Sequence, residues 1–195
     1  MAAAQLSEGN MSSESSSKPD KTIRTLQAVT NLKITCTSPN RDLVLYPKWL
    51  YFQSENQYKT PQFAKFFIEN RESFPIAFNI KAREKIFRCE WVSGILAGGE
   101  KRVIRLFLLT SDDWPLAPAE YSQKRLKVAV ESLRVPDEIQ PKSVKEGALI
   151  AKYIWKRSYN EWPLERLYTK INIALAPPHN SPQVAASTVT TKFTV

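Results

Sequence analysis

Between residues 41 and 176 apolar and polar positions alternate with a period close to two, the signature of strands half-buried in antiparallel sheets. Ile76, Phe78 and Ile80 alternate with Ala77 and Asn79, and Leu126, Val128 and Val130 with Lys127, Ala129 and Glu131. Leu167, Thr169, Ile171 and Ile173 alternate in the same way with Tyr168, Lys170 and Asn172. Segments 31–37, 43–46, 49–53, 62–69, 86–91, 102–109 and 149–156 are rich in aromatic and aliphatic residues and read as further strands. Turn chemistry separates them at Asn70–Ser73, Ser93-Gly94, Gly98-Gly99 and Ser111–Asp113. No segment shows a long helical stripe. Roughly eight to ten short strands predict an all-β, two-layer sandwich whose core is large enough to fold without disulfides. Phe52, Phe66, Phe78, Trp91, Phe107 and Trp155 lie in strand-like segments and read as core. Trp114, between Asp113 and Pro115, reads either as an exposed contact or as a loop anchor.

The ends differ in character. Residues 1–28 are Ser-rich and lack a core-forming pattern, as do residues 177–195, so a disordered tail is expected on either side of the domain. The expected organisation is residues 1–40 as a tail with a leading strand at 31–37, residues 41–176 as the sandwich, and residues 177–195 as the second tail. The opening Met-Ala-Ala-Ala-Gln-Leu-Ser-Glu has neither the basic nor the apolar region of a signal peptide, and the longest apolar stretches, such as Leu106–Leu109, fall far short of a membrane span. A cytoplasmic or nuclear protein follows, with Cys36 and Cys89 as free, buried thiols.

Charge and composition then narrow the chemistry. The net charge is +9, of which +7 belongs to residues 41–176, so the excess sits on the folded part. The single histidine, His179, falls in a Pro/Ser-rich tail, and two cysteines cannot build a zinc site or a disulfide framework. Five glycines without a phosphate-cradling pattern leave nucleotide cofactors unsupported, and no cofactor or metal is expected. The acid pairs Asp112-Asp113 and Asp137-Glu138 fall in expected loops with no nucleophile–base pair beside them, so the chain reads as a non-enzyme. A pI near 9.6 raises nucleic acid as a partner, but no known nucleic-acid-binding motif appears and basicity alone is a weak footprint.

Read in order, the segments resemble the major sperm protein domain, shared with the VAMP-associated proteins. The residues that carry it are Leu43-Val-Leu-Tyr-Pro47-Lys-Trp-Leu50-Tyr-Phe52, Phe66-Phe67-Ile68-Glu69-Asn70, Phe74-Pro75-Ile76-Ala77-Phe78-Asn79-Ile80-Lys81, and Phe87-Arg88-Cys89 followed by Ser93-Gly94-Ile95-Leu96-Ala97-Gly98-Gly99-Glu100. The resemblance covers residues 41–176 and is most specific over 66–109. It implies an immunoglobulin-like, seven-stranded antiparallel sandwich. Pro47 suits a strand break, and Gly94 and Gly98-Gly99 are expected to supply positive φ at tight turns.

The resemblance implies two uses of one fold. One is a cytoplasmic cytoskeletal protein that dimerises and self-assembles into filaments, as in crawling nematode sperm. The other is an adaptor that binds acidic peptide motifs in a basic groove. For the groove, the candidate peptide-binding residues are Lys81, Arg125 and Lys127. The sequence departs from that pattern at Pro61-Gln62-Phe63-Ala64-Lys65, where a Thr pair is missing, and at Lys127, which stands where the family has methionine.

Overall fold

In the computed structural model the chain divides into two units, residues 1–33 and 34–195, and the described residues, 36–161 and 166–177, all belong to the second. Most of both expected tails, and most of the leading strand at 31–37, lie outside them. What is described of that strand is Cys36, which is buried, and Thr37, which exchanges two backbone hydrogen bonds with Arg134 (3.1 and 2.9 Å).

The described residues hold nine strands: β1 (Val44–Tyr46), β2 (Trp49–Phe52), β3 (Gln62–Glu69), β4 (Ile76–Ala82), β5 (Phe87–Cys89), β6 (Ser93–Leu96), β7 (Lys101–Leu108), β8 (Leu126–Arg134) and β9 (Leu167–Leu175). They make two sheets, ordered β1-β3-β7-β5 and β2-β9-β8-β4-β6. The immunoglobulin-like sandwich is therefore present, with two more strands than the implied seven. It is also not wholly antiparallel, because β2 and β9 run parallel, with Leu50 beside Ile173. The chain crosses from one sheet to the other at Pro47, whose missing N–H costs no ladder bond there.

Alternation places the core. Leu45, Phe66, Ile68, Ile104, Leu106 and Leu108 from one sheet meet Phe78, Val128, Val130, Ile171 and Ile173 from the other, all nearly inaccessible to water. Tyr58 closes one end. Its backbone is in the left-handed region (φ 63°), its amide donates to Ser54 Oγ (2.8 Å), and its hydroxyl lies 2.7 Å from Ala176 O and 3.0 Å from Phe52 O. Trp114 is the loop anchor of the two readings: it is 9% exposed, packs edge-on to Tyr121, and its indole N–H donates to Leu109 O (3.0 Å).

Three expectations are corrected. Segment 149–156 is not a strand but the middle of a helix; after the short α1 (Pro118–Ser122), α2 spans Val144–Glu161. Its buried positions, Gly147, Ile150, Ala151, Ile154, Trp155 and Ser158, follow the three–four spacing of a helix face. Ser143 opens it by accepting from the Glu146 amide (3.2 Å). Gly94 is not at a turn and has no positive φ: it lies within β6 opposite Phe78, and a Cβ there would come 2.7 Å from the Phe78 ring. Phe107 is not core, because Leu106 and Leu108 point inward and turn its ring to the outer face of β7.

α2 packs on β6 and β4 and covers one end of the five-stranded sheet's outer face. Ala77, Ile95 and Leu133 are buried there together with Ile150, Ile154 and Trp155, forming a second, smaller core outside the sandwich. The other end of that face stays open.

Of the two thiols, Cys36 is buried and Cys89 partly so. Burial pushes Cys36 up to about 12 and Cys89 up to about 11, from an ordinary value of 9.0. The folded protein thus holds these protons more tightly than the unfolded chain. Stability should be at its full value below pH 9 and fall as pH rises from there toward 11–12. Urea midpoints measured between pH 8 and 11 should decline, and less steeply in Cys36→Ala. At pH 8 neither thiol should react with iodoacetamide until the protein unfolds.

Candidate functional site

The open end of the five-stranded sheet is built by register. On its outer face Ala129 of β8 has Lys81 of β4 as one cross-strand partner and Lys170 of β9 as the other. Lys127 and Glu131 stand two residues either side of Ala129 on the same face. Three lysine stems therefore surround one methyl group, with diagonal neighbours about 7–8 Å apart. The small Ala129 makes the floor of a groove of about 680 Å3, which Lys81, Lys127, Lys170 and Val92 help to line.

The cations are not equivalent. Lys81 Nζ is 2.8 Å from Glu131 Oε1, and Tyr159 donates its hydroxyl to the other oxygen of Glu131 (3.0 Å). Burial works to lower the Lys81 pKa, but the contacts with Glu131 and Tyr159 outweigh it and raise it above its ordinary value. Lys81 is thus a held, neutralised cation at the foot of α2. Lys127 and Lys170 have no acidic partner among the described residues; Lys170 lies over the Tyr168 ring at 4.7 Å.

Arg125, one residue before β8, opens on an adjoining cavity with Arg83, Glu84 and Lys124, and Lys127 and Arg83 line both cavities. The structure thus brings Lys81 and Lys127 into one groove and leaves Arg125 at its rim. Lys170 completes the groove. It is absent from the sequence-derived trio, although its place on the polar side of the β9 alternation carried the signal.

Aromatic residues continue the face. Trp49 pairs with Asn172, which is in turn the partner of Lys127, and Tyr51 pairs with Ala174. Both rings are exposed and stack on each other with centroids 6.2 Å apart. The face therefore runs from a lysine-lined groove to an exposed indole–phenol pair, offering positive charge and flat apolar surface side by side.

A second cavity, of about 620 Å3, lies beside the start of α2 and is lined by Ile95, Gly98, Arg102 and Pro141 among others. Its cation is already matched, because Arg102 forks onto Glu100 and donates to Ile95 O (2.8 Å). Among the described residues no group of three His, Cys, Asp or Glu side chains could hold a metal ion, and no helix is long and apolar enough to cross a membrane.

No family model matches the chain, and no curated protein matches it. Among solved structures it is similar to WR4, a Caenorhabditis elegans MSP family member (15% identity, 68% of this chain and 94% of that one, TM-score 0.44). It is similar to SSP-19, an MSP-domain-like protein of the same organism (13% identity, 68% and 99%, TM-score 0.44). A PapD-like domain of human CEP192 also matches (10% identity, 70% and 87%, TM-score 0.38).

Proposed function

We propose that this chain is a non-enzymatic interaction domain that binds acidic, aromatic-containing segments of partner proteins on the open outer face of its five-stranded sheet. The observation that carries this reading is the pair Lys127 and Lys170, exposed beside a small-residue floor and with no carboxylate among the described residues to neutralise them. Lys81, held by Glu131, would shape the groove and contribute little net charge. Lys127 in place of methionine exchanges an apolar wall for a second free cation, and Trp49 and Tyr51 offer apolar contact elsewhere on the face.

The test is the affinity of a short Glu/Asp-rich peptide carrying two Phe residues. Reversing both charges, Lys127→Asp with Lys170→Asp, should weaken binding on the order of tenfold to a hundredfold while leaving the melting temperature nearly unchanged, since both side chains are exposed. An unchanged affinity would remove the groove from consideration.

Filament assembly of the sperm-cytoskeletal kind is the other use the resemblance implies, with a cytoplasmic, cytoskeletal setting and a homodimer as its unit. Edge pairing would have to work through β1, β5, β2 and β6, each of only three or four residues, the last lying against α2. Short, covered edges disfavour strand-to-strand assembly. Sedimentation of the full chain as a monomer at high concentration would count against it.

A further inference from the structure

The outer face of the four-stranded sheet lies opposite the groove and plays no part in the reading above. No helix covers it. Alternation along its two central strands, β3 and β7, turns Phe63, Lys65 and Phe67 outward on one and Val103, Arg105 and Phe107 outward on the other. Register then sets them in rows. Phe63 faces Phe107, with ring centroids 6.0 Å apart; Lys65 faces Arg105; Phe67 faces Val103, with Tyr46 of β1 on its far side. Arg88 of β5 stands beside Phe107, and Lys101 lies over the Phe67 ring at 4.6 Å. Phe63 is 55% exposed and Tyr46 66%, high values for large apolar rings.

Two features of this face point to a ligand. Lys65 and Arg105 are like charges directly opposed on the central pair of strands, an arrangement that destabilises a sheet unless an anion lies over it. Arg105 has only a long contact with Glu90 (3.5 Å), and Lys65 and Arg88 have no acidic partner among the described residues. The cations also alternate with rings. Phe63 and Phe67 stand about 13 Å apart along β3, with Lys65 midway. None of the cavities described above opens on this face, so an anchor side chain from a protein partner finds no pocket in them. A chain in which flat rings and negative charges alternate needs no pocket.

We propose that this face binds single-stranded nucleic acid, with bases stacked on Phe63 and Phe107 and the sugar–phosphate backbone passing over Lys65, Arg105 and Arg88. Stacking on aromatic side chains tolerates any base and requires no sequence motif, so the lack of one in this chain does not weigh against it. A duplex hides its base faces and cannot use the rings.

Fluorescence anisotropy of the full chain with a labelled mixed-sequence single-stranded RNA tests this. Binding should be at least tenfold tighter than to the same sequence as duplex. With these three cations engaged, log Kd should rise with log salt at a slope of about 2. Phe63→Ala and Phe107→Ala should each weaken binding about fivefold to a hundredfold, and Phe63→Tyr, which keeps a stacking ring, should retain it. Phe63→Leu, which keeps apolar bulk without a ring, should lose it, separating stacking from folding. Lys127→Asp with Lys170→Asp, on the opposite face, should leave RNA affinity unchanged. Equal affinity for duplex, indifference to the Phe63 and Phe107 changes, or no binding at low salt would overturn the proposal. So would an acidic aromatic peptide whose binding fell with these same changes and displaced the RNA, which would make the face a protein site.

Discussion

Asn70→Ala is expected to destabilise the domain by about 3 kcal/mol, more than most single changes outside the apolar core. Asn70 ends β3 fully buried. Its side-chain amide donates to Phe74 O and Ala97 O (both 2.9 Å), with Leu96 O at 3.4 Å, and its Oδ1 accepts from the Glu72 amide (3.0 Å). One side chain thus ties the turn after β3 to the turn after β6. Alanine would take this partner from Phe74 O and from the Glu72 amide, while Ala97 O keeps the Glu100 amide (3.1 Å); each polar group left unpaired costs about 1–3 kcal/mol. Asn70→Asp keeps the shape but turns a carboxylate toward three carbonyls, so it should be no milder. Chemical denaturation gives both values; a loss under 1 kcal/mol for Asn70→Ala would show that the two turns hold without it.

The same junction separates two adjacent glycines. Gly98→Ala should cost about 2–3 kcal/mol, because a Cβ there would lie 2.4 Å from Ser73 O and 2.6 Å from Ser73 C, backbone atoms that cannot swing aside. Gly99→Ala should cost about 1 kcal/mol. Its φ of 73° strains an L side chain, but a Cβ there meets nothing within 4 Å. Melting curves of the two variants should rank them in that order. The reverse ranking would mean that backbone conformation, not the close approach of the two turns, governs this corner.

Much of the sandwich was legible because inward and outward residues alternate, and a half-buried strand leaves that trace in any sequence. The trace misled where a window was short or wholly apolar. Residues 149–156 are too few to separate a strand from a helix; the stripe from Gly147 to Ser158, with Ser143 three residues before Glu146, separates them. Phe107 stands in an apolar run, and only the inward turn of Ile104, Leu106 and Leu108 reveals that it faces out. Gly94 looked like a turn residue because glycine usually buys backbone freedom, whereas here it makes room for the Phe78 ring. The parallel pairing of β2 with β9 joins segments more than a hundred residues apart, which no local pattern encodes.

The candidate site was half legible. Lys81 and Lys127 share a groove because β4 and β8 are neighbours in the predicted class of fold. What the sequence could not show is that Glu131 and Tyr159 occupy Lys81, since Tyr159 comes from the last turn of a helix whose middle, 149–156, reads as a strand. Nor could it place Trp49 and Tyr51 beside the groove, because that depends on the parallel pairing of β2 and β9.

If an acidic partner segment sits on the open end of the five-stranded sheet, backbone NMR during a peptide titration will map it there. With the Glu/Asp-rich, Phe-containing peptide, the amides of Lys127, Ala129, Lys170, Asn172, Trp49 and Tyr51 should shift together and saturate at one Kd. Shifts confined to Phe63, Lys65, Arg105 and Phe107 on the opposite sheet, with those six amides unmoved, would contradict it.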